Sequence, residues 1–438
     1  MMKLYIRMVF LLLMFACATL GGAQKRVVAV HEVKKGETLY SLSKQYGVTL
    51  EDLTAVNPDL SKNPDKKLKS GYLINIPQNG KQQTEGGTED TLKLAVVLPF
   101  SAEGKEGKRS IEFYRGVLMA MDKERERGAC VSVMAIEEPQ VKEDLTNVIA
   151  TLSACEGLDV VVGPLYPTHF QELSDFCKMR QLENVICFSS KVKQVETNPY
   201  IYLLNTPQDI VEQHSFDLFE SKFEGRRCVV IRTVDGAEEQ IVNSWIEKML
   251  EGQYEVQTLS ASFTVQDLQQ SLSQTKSNVI VVDGSNQQEV LSILQRINKF
   301  REANGTYKFA VVGHNAWQQF SMEYNELLST LDTYLLAGDF YNAYSLSVIE
   351  FEDNYYKWFK EYPMMLHPRM GELGYDTGLF VLNYYKQQSG ADIQWDKVGY
   401  LQTRFNFVQI GSGGYANTTL MFVRFAPNNK VELIELKK

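Results

Sequence analysis

The sequence predicts an α/β protein in two folded parts: a small β-α-α-β module over residues 27–77, and a large α/β body with parallel sheets over residues 92–438. Three observations predict it. Apolar, β-branched runs alternate with amphipathic stretches along most of the chain. A separate, shorter pattern of strand, two helices and strand comes before them. Between the two lies Gln78 to Thr91, which has no large apolar residue and reads as a flexible linker.

The bulk numbers agree with two parts. At 438 residues, 44% of them hydrophobic and 23% charged, the chain is too long for one core. A net charge of −9 argues against a nucleic-acid partner, because binding phosphates needs basic surface. The charge is uneven. Between Lys25 and Lys81 there are ten Lys or Arg against six Asp or Glu. A mildly basic module on a more acidic body suits contact with an anionic wall.

The N-terminus reads as an export signal over Met1 to Ala23. Lys3 and Arg7 precede Val9 to Ala16, an apolar run too short to span a bilayer, and Gly21-Gly22-Ala23 offers small residues for cleavage. Cys17 opens a second reading, a lipid anchor, although Met14-Phe15-Ala16 departs from the usual lipobox. Membrane attachment is expected only with that anchor, and the periplasm or cell envelope otherwise. The other cysteines, Cys130, Cys155, Cys177, Cys187 and Cys228, have irregular spacing that matches neither a zinc site nor a disulfide framework.

In the small module, Val27 to Val33 is a strand and Lys35-Gly36-Glu37 a turn. Thr38 caps a helix that carries Leu39, Leu42 and Tyr46 on one face, and Gly47 ends it. Thr49 caps a second helix that Asn57-Pro58 stops, and Leu73 to Ile76 closes the module as a strand. The run His31-x-Val33-x-x-Gly36-Glu37-Thr38-Leu39-Tyr40-x-Leu42-Ser43, with Tyr46-Gly47-Val48-Thr49, Asn57-Pro58 and Gly71-x-Leu73-x-x-Ile76-Pro77, resembles the LysM domain. Ser61 to Lys67 departs from it by lengthening one loop. The resemblance implies binding to N-acetylglucosamine-containing glycans, mainly peptidoglycan. Its groove would be formed by Gly36, Glu37, Thr38 and Leu39 on one side, with Asn57 and Pro58 on the other.

In the large body, the near-continuous apolar strand Leu92 to Leu98 points to a sheet buried on both faces. Ile111 to Glu126 reads as a helix, and strands follow at Val131 to Ile136, Val160 to Val162, Val185 to Phe188 and Ile201 to Leu204. The alternation then restarts, with strands at Cys228 to Ile231, Glu255 to Leu259, Val279 to Val282, Phe309 to Val312 and Leu335 to Ala337. Helices at Leu346 to Glu361 and Leu373 to Lys386 precede a strand-rich end. The two lobes, with the patches Phe113 to Ala120, Val162 to Leu165 and Gly374 to Asp376, resemble the type I periplasmic-binding-protein fold of branched-chain amino-acid receptors. That resemblance implies chain crossings between lobes near residues 205, 341 and 402.

Ligands in such sheets bind at the carboxyl ends of the strands. The candidate cleft residues are therefore Ser101, Tyr166, Thr168, Ser189, Ser190 and Asp283. The charged stretch Ala102 to Arg109 reads as a loop that disfavours a free amino acid. The ligand classes that remain are an amino acid, a peptide, a muropeptide or an envelope protein.

No enzyme signature is present. The five histidines form no metal-binding pair, and neither a nucleophile elbow nor a phosphate loop occurs, so no cofactor, metal or catalytic residue is expected. The leading reading is a non-enzymatic wall-binding or regulatory protein, with outer-membrane activators of penicillin-binding proteins as a fold-level analogy. The second is a LysM-tethered receptor for a transporter or sensor. A wall hydrolase, which LysM modules often accompany, comes third.

Overall fold

The computed structural model describes residues 27–438 apart from 35, 47, 58–67, 69, 71, 78–90, 126–129, 237–239, 253, 321–323, 429 and 436–438. The expected export signal with Cys17, the Gly47 cap, Pro58, the lengthened loop and all of the linker but Thr91 lie outside the described residues. The chain divides into two compact units, 1–87 and 88–438.

In the first unit, β1 (Val27–Glu32) leads to α1 (Leu39–Gln45), α2 (Leu50–Ala55) and β2 (Leu73–Pro77). The two strands pair antiparallel, with His31 opposite Ile74. Thr38 caps α1 in a reciprocal box. Its hydroxyl accepts the Ser41 N–H at 3.0 Å, and Ser41 Oγ accepts the Thr38 N–H at 2.9 Å, an arrangement worth about 1 kcal/mol. The core is small: Val33, Leu39, Leu42, Val48, Leu53, Ile74 and Ile76.

The second unit holds two seven-stranded sheets. The first lobe runs β3 (Leu92–Leu98), α3 (Lys105–Arg125), β4 (Val131–Glu137), α4 (Thr146–Ser153), β5 (Val160–Val162), α5 (Phe170–Arg180), β6 (Glu183–Ile186) and β7 (Ile201–Leu203). The second lobe follows with α6 (Gln208–Phe223), β8 (Arg227–Arg232), α7 (Gln240–Glu251), β9 (Val256–Ser260), α8 (Val265–Ser271), β10 (Asn278–Val282), α9 (Gln287–Ala303), β11 (Phe309–Gly313), α10 (Asn325–Thr330) and β12 (Thr333–Ala337). The chain then returns with α11 (Leu346–Phe359), α12 (Met370–Gln388), β13 (Phe407–Gln409) and β14 (Tyr415–Asn417), and ends on β15 (Met421–Phe425) and β16 (Val431–Glu435).

The sheet orders are β13-β14-β7-β6-β5-β3-β4 and β16-β15-β12-β11-β10-β8-β9. Each sheet is parallel through its middle, and antiparallel pairing is confined to the late strands. The apolar strands are buried on both faces, as their composition requires. In β3, Leu94 and Val96 pack into one core while Ala95 and Val97 pack into another. In β8, Val229 and Ile231 face one core while Cys228 and Val230 face the other.

Two features differ from the sequence expectation. The third crossing lies between β14 and β15, at 418–420, rather than near 402, because β13 and β14 add to the first sheet before the chain leaves it. The charged stretch ending at Arg109 is not a loop: α3 begins at Lys105. Acidic and basic side chains in a first turn look like loop composition, although they are compatible with a helix start.

The helices α3 and α12 pack backbone to backbone. A Cβ on Gly116 would run into the carbonyl oxygen of Gly371, and one on Gly374 into that of Phe113. Two of the patches read in the sequence therefore face each other. Among the described residues the five cysteines are free, and burial pushes the Cys177 and Cys228 thiols up to about 12. Tyr355 and Trp358 are buried in α11, whereas Tyr356 stays half out of the protein, stacked on Tyr362.

Candidate functional sites in the small unit and the two-lobe cleft

In the small unit, the turn into α1 is built around one imidazole. His31 Nε2 lies 2.7 Å from Glu37 Oε2, and Nδ1 lies 2.8 Å from the Tyr46 hydroxyl. A neutral ring with its proton on Nε2 satisfies both, donating to Glu37 and accepting from Tyr46. Glu37 Oε2 also accepts the Lys34 N–H at 2.7 Å. Burial, and then the Glu37 charge, hold the Tyr46 hydroxyl above its ordinary pKa. Gly36 sits at φ +92°, a left-handed conformation that favours glycine.

Of the expected groove residues, Gly36, Glu37 and Thr38 are on this turn and half-exposed. Leu39 is in the core, with its side chain 3% exposed. Asn57 is buried and its amide is fully used. Nδ2 donates to the Leu53 and Asn75 carbonyls at 2.8 and 2.7 Å, and Oδ1 accepts the Asn75 N–H at 2.8 Å. These two side chains hold the module together; only the backbone beside them is left for a ligand.

The second unit contains a cavity of about 750 Å³ walled by both lobes. Lys105 and Arg109 come from the first turn of α3, and Phe188 from the end of β6. Trp245 comes from α7, and Asp283, His314 and Asp339 from just beyond β10, β11 and β12. His367 and Met370 complete one wall.

Asp283 is the one expected cleft residue that lines the cavity. Its Oδ1 accepts the Thr233 N–H at 2.8 Å and the Thr233 hydroxyl at 3.0 Å, and Arg232 Nε lies 3.0 Å from Oδ2. The other five are placed elsewhere. Ser101 is exposed and donates its hydroxyl to Glu137 at 2.6 Å. Tyr166 donates to Glu106 at 2.9 Å. Thr168 is exposed, and Ser189 and Ser190 are half-buried outside the lining, where Ser189 Oγ accepts the Lys191 N–H. The Ser101 and Tyr166 hydroxyls tie their loops to carboxylates on β4 and α3, and only that of Ser189 serves its own loop.

The lining residues not foreseen include His314 and Asp339. The strand-end rule that led to Asp283 leads to both when applied to β11 and β12.

The crossing at Asp339 is held by a buried carboxylate. Asp376 accepts the N–H groups of Leu401, Gln402 and Thr403 at 2.6, 2.9 and 2.8 Å, and Thr403 bridges antiparallel to Asp339. Burial pushes the Asp376 carboxyl up to about 7. Burial likewise raises Asp339, with His367 pulling the other way. Among the described residues no cluster of three or more His, Cys, Asp or Glu could hold a metal. Nor is any helix among them long and apolar enough to cross a membrane.

The comparisons agree with this architecture. A protein of Rhodospirillum rubrum described as a branched-chain amino acid ABC transporter superposes with a TM-score of 0.53 at 12% identity, covering 78% of this chain and 100% of its own. A branched-chain amino acid periplasmic ligand-binding protein of Burkholderia xenovorans gives a TM-score of 0.46 at 12% identity, over 78% and 94%. Full-length LpoA of Haemophilus influenzae gives 0.47 at 10% identity, over 80% and 59%. No curated protein matches the chain in sequence.

The Rhodospirillum superposition establishes a shared fold, and at this identity the fold alone. The large unit has the two-lobe fold of type I periplasmic binding proteins. Ahead of it, residues 31–77 match the family model of the LysM domain, so the chain joins a LysM module to a binding-protein fold.

Proposed function

We propose that the protein is a non-enzymatic cell-envelope protein that holds peptidoglycan through its LysM module and binds a solute in the cleft of its second unit. The LysM match carries the first half of this reading. The turn of Gly36, Glu37 and Thr38 offers polar and backbone groups to an acetamide, and the His31–Glu37–Tyr46 relay keeps that turn in place. A cavity of about 750 Å³ between two lobes carries the second half. A solute that touches both lobes favours the closed arrangement over the open one, which is how such a unit signals occupancy.

The test uses the full chain. Co-sedimentation with purified peptidoglycan should retain the protein, and soluble N-acetylglucosamine oligomers should release it. A protein left entirely in the supernatant would overturn the wall-binding half. Soluble fragments appearing from the peptidoglycan would overturn the non-enzymatic half. For the cleft, a rise in the melting temperature of the second unit with an amino acid, peptide or muropeptide is the expected mass-action signature of binding.

A further inference from the structure

Six of the sixteen large apolar side chains exposed among the described residues fall in one short stretch, residues 344–365. They are Tyr344, Leu346, Ile349, Tyr356, Tyr362 and Met365, while the others are spread over both units. Single exposed apolar residues need no explanation, but a group of them marks a surface of contact. Helix α11 carries the group. Its inner side is filled: Val348, Phe351, Tyr355, Trp358 and Phe359 are buried. Phe351 meets Tyr375 of α12 edge to face, and the Tyr355 hydroxyl accepts an Arg115 N–H of α3 at 3.1 Å. The outer side carries Leu346, Ile349, Glu350, Asp353, Tyr356 and Lys357, whose spacings of three and four residues keep them on one face. Leu346 is 85% exposed, and Met365, beyond the helix, 84%. Tyr362 stacks on Tyr356 with ring centroids 4.8 Å apart, which extends the apolar strip past the end of the helix.

The charges on this face are ordered by sign. Glu350 and Asp353 come first, Lys357 is in the last turn of α11, and Lys360 follows just past its end. Among the described residues none of these four is in an ion pair. Lys357 donates instead to the Asn354 side-chain oxygen at 3.2 Å. The other acidic groups here are already used: Glu352 turns inward to Arg369 and the Tyr341 hydroxyl, and Glu361 is held by Arg115. A face with an apolar strip, acidic towards its start and basic towards its end, is complementary to itself when turned end over end. With a twofold axis between residues 353 and 354, Glu350 and Lys357 lie equally far from the axis. Glu350 of each copy then meets Lys357 of the other, as opposite charges flanking two antiparallel helices do. Asp353 meets Asn354 rather than its own image, and Leu346 and Ile349 come against the Tyr356–Tyr362 stack.

We propose that the outer face of α11 is a homodimer interface, in which two copies of the chain pack this helix antiparallel about a twofold axis. The interface does not depend on what the cleft or the small unit binds. On the wall-binding reading above, a dimer brings two LysM modules to one wall, and linked modules hold more tightly than one.

The experiment is sedimentation velocity of the full chain over a concentration series, with a thiol reductant present so that the exposed Cys130 cannot link copies. The unmodified chain should show a reversible equilibrium of monomer and dimer. Glu350→Lys and Lys357→Glu each bring like charges together at two places, so each should weaken dimerisation about tenfold or more. Mixing these two variants should restore the dimer, because the two reversed charges then face each other and so do the two native ones. Ile349→Lys should weaken dimerisation to a similar degree, and mixing it with Glu350→Lys should not restore it. All three positions are exposed, and an unchanged melting temperature in each variant shows that the fold is kept.

A chain that sediments as a monomer at every concentration overturns the proposal and leaves this face to the chain's own small unit or to a different protein. A dimer that survives all three substitutions places the interface elsewhere and overturns it too. Single variants that lose the dimer and stay monomeric when mixed overturn the antiparallel arrangement. None of these outcomes touches the peptidoglycan and cleft tests above, which stand or fall separately.

Discussion

The small unit and the two-lobe unit use their most recognisable residues in the same way, but with different margins. In the small unit, seven buried apolar residues form the core among the described residues. Leu39 and Asn57, both expected at the glycan groove, are consumed in holding it together. In the large unit five separate clusters of buried apolar residues, among the described residues, cover the two faces of two sheets. There the recognisable patches around Gly116 and Gly374 form a helix–helix seam, and of all the patch residues only Leu165 lines the cavity. A motif that survives in sequence is, in both units, first a folding instruction. The difference is margin: the small unit rests on one cluster of buried apolar residues and has little to spare, whereas the large unit rests on several.

The largest expected effect tests the seam. Gly116→Val should destabilise the second unit by about 3 kcal/mol or more, because its side chain must displace the Gly371 carbonyl. Calorimetry should show the main transition lowered or lost, with peptidoglycan co-sedimentation retained. An unchanged main transition would mean that the seam is looser than the geometry shows.

Next comes the small core. Leu39→Ala should cost about 2–5 kcal/mol, and Asn57→Ala about 1–3 kcal/mol, since it leaves the Asn75 N–H and carbonyl unpaired. Either change should abolish co-sedimentation while leaving the main transition of the second unit in place. Retention of wall binding by Leu39→Ala would break the claim that this module has little margin.

A smaller effect separates fold from site within the module. Glu37→Gln keeps an acceptor for Lys34 and His31 but removes the charge, so the unit should stay folded. Its affinity for N-acetylglucosamine oligomers should fall several-fold as the turn loosens. Unchanged affinity would assign Glu37 to solvent rather than to the turn.

The last test concerns pH. Glu372 is fully buried in α12, and burial pushes its carboxyl up to about 8 even with Arg369 at 3.6 Å. The folded state therefore keeps a proton that the unfolded chain releases in the ordinary carboxylate range. Stability from this group is full below that range and falls as pH rises towards about 8. The melting temperature of the second unit should drop between about pH 5 and pH 8. Glu372→Gln should flatten part of that drop, with Glu112 and Glu183, each raised by burial to about 7, accounting for more of it. A melting temperature that climbs over the same interval would contradict the protonated assignment.

Periodicity and turn chemistry were enough to place the β-α-α-β module, the alternating strands of both lobes and the Thr38 cap, because these depend on neighbours close in sequence. The same local information mistook the first turn of α3 for a loop and set the last crossing too early. A charged first turn and a pair of short strands carry weak local signals, and it is pairing with β7 that makes β14 a strand. The cleft was legible only where a strand-end rule applied, at Asp283. Ser101, Tyr166 and Ser189 have the right residue types, but their hydroxyls are taken by Glu137 on β4, Glu106 on α3 and the nearby Lys191 N–H. That Lys105, Trp245, His314 and Asp339 share one cavity follows from how the two lobes fold against three crossings. Contacts between residues so far apart in the chain leave no periodic trace in it, and only the tertiary structure decides them.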